Sequence, residues 1–135
     1  MSEKIKYINP DGLSKNHAFT QVVTTQGNGK TIYIGGQDAV NAQGKVVGKG
    51  DITEQTEQVM KNLQTALVAC GATFDNLVKL SIYIVLGQDV YSGFQVSQKF
   101  LGHLKNPPAI SVLIVAGLAH PDFLVEIDAT AFIPE

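Results

Sequence analysis

An α+β domain, a mixed sheet with two helices on one face, is predicted by three observations. The elements run strand, strand, helix, strand, helix, strand, strand, and only two stretches of the 135 residues have helical periodicity. Each of those stretches carries a single apolar stripe, enough to cover one side of a sheet. The run Ser111 to Ala116 is unbroken, apolar and rich in β-branched residues, which suits a strand covered on both faces. The second face of the sheet must therefore find its cover elsewhere, and self-association is the economical answer. Charged residues make up 16% of the chain, against about 25% in an ordinary soluble domain, as a surface partly reserved for partners requires. One domain, residues 1–135, accounts for the whole length.

Taken in order, residues 1–17 are polar, with turn signals at Asn9-Pro10-Asp11-Gly12, and form an opening segment. Ala18 to Thr25 reads as a first strand and Thr31 to Ile34 as a second, with Gly27-Asn28-Gly29 supplying a hairpin turn between them. Gly35-Gly36-Gln37 ends the second strand, and paired glycines there let a backbone come close to a ligand or a neighbouring strand. The loop Asp38 to Gly50 is a connection, with a short strand at Lys45 to Val47. Asp51 caps a helix that stops at Gly71; Glu54 stands three residues on, and Ile52, Val59, Met60, Leu63, Ala66, Leu67 and Cys70 make its apolar stripe. Leu77 to Leu86 is the third long strand. Asp89 opens a second helix whose stripe is Val90, Phe94, Ser97, Leu101 and Leu104, broadened by Val96 and Phe100. The strands 111–116 and 123–133 form a hairpin around Gly117 and His120-Pro121-Asp122, and alternation in the latter puts Glu126 and Asp128 on one face.

Composition excludes several classes of function. Net charge is −2, all ten basic residues are lysines, and they are scattered from Lys4 to Lys105, so the basic patch that nucleic acid demands is missing. No apolar run reaches the roughly 18 residues of a membrane span, and the N-terminus lacks a signal peptide's apolar middle, so a cytoplasmic protein is expected. The single cysteine, Cys70, permits no internal disulfide and reads as a small core residue rather than a nucleophile. Gly29-Lys30-Thr31 imitates the end of a phosphate-binding loop, but Thr24 stands where the first glycine is needed. No dinucleotide motif is present, and His17, His103 and His120 share no metal-ligating spacing, so neither cofactor nor metal is expected.

Several strings together resemble the RidA family, also called YjgF or reactive intermediate deaminases. They are Tyr33-Ile34-Gly35-Gly36-Gln37, the helix ending in Ala69-Cys70-Gly71-Ala72, Ser81-Ile82-Tyr83-Ile84, Pro108-Ala109 and above all Val125-Glu126-Ile127-Asp128-Ala129. The resemblance covers nearly the whole chain. It implies a chorismate-mutase-like fold, three subunits closing a homotrimeric barrel of sheets, and small-molecule clefts between neighbouring chains. Better-known members hydrolyse enamines and imines to 2-keto acids and ammonia. By the same resemblance the family's water-activating acid falls on Glu126, the backbone of its glycine turn on Gly36, that turn's serine on Gly35 and an aromatic wall on Phe19. The aromatic of an Asn-Asp-Phe string falls on Val90, a frequent cysteine on Val112, and the arginine that grips the substrate carboxylate on Ile110.

Isoleucine makes neither of the two charge-assisted bonds that a guanidinium offers a carboxylate. No shifted arginine replaces it, because the chain has none; Lys79 or Lys105 could stand in, with poorer geometry. Two functions stay open. One is a trimeric imine or enamine hydrolase with an altered substrate and Glu126 as acid/base. The other is a non-catalytic metabolite-binding trimer without deaminase activity, in which Glu126 and Asp128 only line the barrel. Ribonuclease activity, attached to some relatives, is disfavoured by the charge.

Overall fold

The computed structural model describes residues 4–135; residues 1–3 of the expected opening segment lie outside them. Strands β1 (Ile5–Ile8) and β2 (Val22–Thr25) pair antiparallel in a small sheet of their own. The main sheet contains β3 (Gly29–Gln37), β4 (Leu77–Val85), β5 (Ala109–Val115) and β6 (Val125–Pro134), in the spatial order β3-β6-β4-β5. Helices α1 (Ile52–Ala69) and α2 (Val90–Leu101) cover one face of it, and a short 3₁₀ turn, Phe74–Asn76, leads into β4. This is the predicted α+β arrangement.

The helices form where the local signals placed them. Thr53 N–H and Glu54 N–H donate to Asp51 Oδ1 at 3.0 and 3.2 Å. Glu54 returns no bond, since Asp51 N–H donates instead to Gly48 O at 2.8 Å. At the other end Gly71 takes a φ of +79°, and Ala72 N–H and Gly71 N–H reach back to the carbonyls of Leu67 and Val68 in a Schellman closure. Val59, Met60, Leu63 and Leu67 are fully buried along the predicted stripe, each contributing about 1.5–3 kcal/mol. Cys70, as expected, is a half-buried neighbour of this core. Asp51→Ala should lower stability by roughly 0.5–2 kcal/mol through loss of the cap; an unchanged urea midpoint would show that Asp51 contributes nothing.

The expected hairpins do not form. β2 and β3 lie in different sheets, and β3 pairs instead with β6 in a register running from Gly29↔Pro134 to Gln37↔Ile127. Burial decides this, because Ile32 and Ile34 on β3 need the helix-covered sheet whereas β2 is largely exposed. The 111–133 hairpin fails for a similar reason. β5 runs parallel to β4 through the α2 crossover, and β6, whose every second residue from Val125 to Ala131 is buried, takes the central place between β3 and β4. Parallel β5 is consequently an edge strand, and within one chain Val112, Leu113 and Ile114 are 52%, 45% and 50% exposed. Other boundaries shift. The opening segment contains β1, the 18–25 strand shrinks to Val22–Thr25, and the expected strand at Lys45 to Val47 is one bridge, Val40↔Val46. In α2 the burial centres on Gly93, Val96, Ser97 and Leu101, leaving Val90 and Phe94 partly exposed.

Candidate functional site

Alternation along β6 sorts its side chains. Val125, Ile127, Ala129 and Ala131 are buried against the helices, so Glu126, Asp128 and Thr130 project from the uncovered face. Register sets their neighbours there: Tyr83 lies across from Glu126, Ser81 across from Asp128, and Lys79 across from Thr130. Tyr83 Oη–H donates to Asp128 Oδ2 at 3.2 Å, which ties Asp128 into the sheet surface. Lys79 is engaged as well, donating to Ser111 Oγ at 2.8 Å.

The β3–β6 ladder slips between Ile34 and Gln37, where Gly35 and Gly36 form an irregularity. Neither glycine has a positive φ, so it is space that the position of Gly36 requires. A Cβ there would lie 2.7 Å from Glu126 Cδ and 3.0 Å from its Cγ. The missing side chain is the seat of the Glu126 carboxyl group. Gly35 has no such role, since a Cβ at that position would meet nothing within 4 Å.

Just past the slip stands Asp38, which sequence reasoning assigned to a connecting loop. Its main chain is held firmly: Asn62 Nδ2 of α1 donates to the Asp38 carbonyl at 2.9 Å, and Val40 N–H donates to it at 2.8 Å. Its side-chain Oδ1 is shut off from solvent and finds no donor among the described residues. Burial first, then a hydrogen bond to Glu126 and that group's negative charge, push the Asp38 carboxyl up to about pKa 7. A sequence signal existed. The acid follows the Gly-Gly-Gln turn directly, and a chain that needs a bare backbone at Gly36 has a neighbour pressed against it.

The remaining predicted residues lie apart from this pair. Ile110 and Val112 sit opposite Leu80 and Ile82, hence on the helix-covered side, and Ile110 packs against the core. Val112 and Val90 line an apolar cavity of about 80 Å³ under α2, together with Ile82, Phe94 and Ile127. Phe19 is half-buried beside Thr20, whose N–H donates to the carbonyl of Pro108 at 3.0 Å, so that this segment flanks the start of β5. One chain therefore brings Gly36 to Glu126 but leaves Val90, Ile110 and Val112 behind the sheet. His17, His103 and His120 are all exposed, and among the described residues no group of three or more His, Cys, Asp or Glu side chains is placed to hold a metal.

Comparison with known proteins agrees with the fold. The family model described as endoribonuclease L-PSP matches residues 11–133. A RutC family protein of Pyrococcus horikoshii is 31% identical over 104 residues, covering 77% of this chain and 80% of its own. The human 2-iminobutanoate/2-iminopropanoate deaminase is 30% identical over 103 residues, covering 76% and 72% respectively. Among solved structures, the Rid family protein YyfB of Yersinia pestis, itself of unknown function, superposes with a TM-score of 0.85 at 32% identity, covering 97% of this chain and all of its own. By sequence and by fold alike, the chain belongs to the RidA/YjgF family.

Proposed function

We propose that this protein is a trimeric hydrolase of imine or enamine metabolites that lack a carboxylate beside the reacting carbon, with Glu126 as its acid/base. The observation that carries the reading is the seat of Glu126: a carboxyl group on the uncovered sheet face, backed by a glycine that leaves it room. A carboxylate so placed takes a proton from water as the oxygen adds to a C=N carbon. The human relative's name supports the reaction class. The substrate class follows from Ile110 and from the absence of arginine, since nothing in the chain offers a carboxylate a planar two-bond grip.

Val90, Ile110 and Val112 lie behind the sheet that carries Glu126, so a cleft using both groups is composed from two copies of the chain. The uncovered face and the exposed β5 edge supply surface for that contact. Such clefts take a small-molecule metabolite, and no helix of the described residues is long and apolar enough to cross a membrane. A cytoplasmic location completes the proposal.

The test is hydrolysis of a cyclic imine without a carboxylate, run beside the 2-imino acid that a serine/threonine dehydratase releases and semicarbazide traps. Wild-type protein should accelerate the former and barely affect the latter, and Glu126→Gln should lower the rate by roughly 10²–10⁴-fold. Unchanged turnover in Glu126→Gln would overturn the role of Glu126. Ligand binding without turnover of any imine would point to the non-catalytic metabolite-binding trimer.

A further inference from the structure

We infer that Asp38 is the positioning residue for Glu126: the two carboxyl groups hold one proton between them, and Asp38 keeps that proton while Glu126 faces the substrate. This rests on the hydrolase reading above. Geometry supports it: Asp38 Oδ1 is closed off from solvent with no donor among the described residues, and the Glu126 carboxyl group sits against Gly36, two residues before Asp38. Two ionised carboxylates so close repel, and with the inner oxygen shut off from solvent the lowest arrangement is one acid and one carboxylate. Among the described residues no lysine is paired with either carboxyl group. On the uncovered face the titratable groups are Tyr83 and Lys79 on β4, Tyr33 on β3 and Asp128 on β6; Tyr83 lies across from Glu126 and donates to Asp128, and Lys79 donates to Ser111 Oγ. From α1 comes the neutral Asn62, bound to the Asp38 main chain, while Lys61 on that helix lies 3.9 Å from Glu57. The elevated Asp38 titration described above agrees with this arrangement.

A pair with one proton suits imine hydrolysis better than a lone carboxylate does. Water's oxygen bonds to the imine carbon and the C=N π bond opens. Glu126 accepts one proton from the water as the pair supplies one to nitrogen, so that the pair holds one proton before and after. In the second step the carbinolamine hydroxyl loses its proton to the pair and the amine gains one. The C–N bond then breaks with its electrons on nitrogen, leaving a carbonyl compound and an amine, which is ammonia for an imine unsubstituted on nitrogen and stays tethered to the carbonyl compound for a cyclic one. No oxidant, metal or further reactant enters.

Carbon-13 NMR of the side-chain carboxyl groups of the full chain tests the shared proton directly. Wild type should show one aspartate titrating near neutrality; Glu126→Gln should lower its midpoint by more than one pH unit, and Asp38→Asn should abolish that resonance. If every aspartate of the wild type titrates below pH 5, or if Glu126→Gln leaves the midpoint in place, the inference is wrong. The kinetic arm is the pH profile of kcat/KM for a turned-over imine. It should fall above neutrality in wild type and lose that limb in Asp38→Asn, with a 10- to 100-fold lower maximum partly restored in Asp38→Glu. A merely structural Asp38 would lower the maximum and leave the limb where it was. If wild type turns over no imine, the hydrolase reading fails by itself, and the titration still decides whether the proton is shared.

Discussion

A Gly36→Ala protein is expected to fold like its parent and to lose at least about 100-fold in turnover, because an added Cβ takes the space in which the Glu126 carboxyl sits. The atoms it would strike are the far end of a flexible side chain. Glu126 can swing away at little cost to the fold, and the change in stability should stay below about 1 kcal/mol. Activity cannot be kept so cheaply, since a displacement of about 1 Å in a group that orients water is enough for such a loss. The swing also parts Glu126 from Asp38, whose elevated titration should drop with it. Gly35→Ala is the matched control, because a methyl group there meets open space. Equal losses in both variants, or full activity in Gly36→Ala, would refute this account of the slip in the β3–β6 ladder.

Leu113→Asp should convert the proposed assembly of three 14.5 kDa chains into monomers. Leu113 lies across from Tyr83 on the uncovered face of the sheet and is 45% exposed in the single chain. Closing three sheets into a barrel would bury it. A carboxylate carried into that contact without a partner costs several kcal/mol per copy, roughly the whole margin by which a domain of this size stays folded. Val68→Asp, which adds the same charge on the exposed outer side of α1, should leave the mass unchanged. Multi-angle light scattering reads the result. A wild-type monomer at micromolar concentration, or a Leu113→Asp trimer, would remove the barrel from the proposal.

What could be read from the chain was whatever local chemistry decides. Asp51 and Asp89 cap their helices because an acid preceding a free N-terminal turn has partners within three residues, and each accepts the bonds expected of it. The face of Glu126 was legible for a similar reason, period-two alternation being a property of one strand. Pairing is different. Whether β5 lies beside β4 or β6 depends on which edges remain once the helices have taken their stripes, and no residue of β5 states it. The same gap separated Ile110 from Glu126, since parity within each strand says nothing of parity between strands until the register is known. Asp38 escaped notice because a single acid in a loop has no period; its place directly after the Gly-Gly-Gln turn was the one local sign, and its partner is known only once the fold brings Glu126 to that turn.

The central place of β6 also governs when this chain can fold during its manufacture. The strand that joins β3 to β4 is synthesised after every other element of this fold, and its ladder with β3 runs back to Gly29 from Pro134. A ribosome delivers residues in one direction only. Until residue 134 has left the exit tunnel, β3 and β4 have no shared neighbour, and the apolar stripe of α1 has only part of a sheet to rest on. The growing chain thus carries unpaired edges and bare leucines until β6 emerges, a state that invites chaperones or aggregation. A stop codon anywhere before β6 would accordingly yield no weakened version of this protein but a chain without a sheet to close.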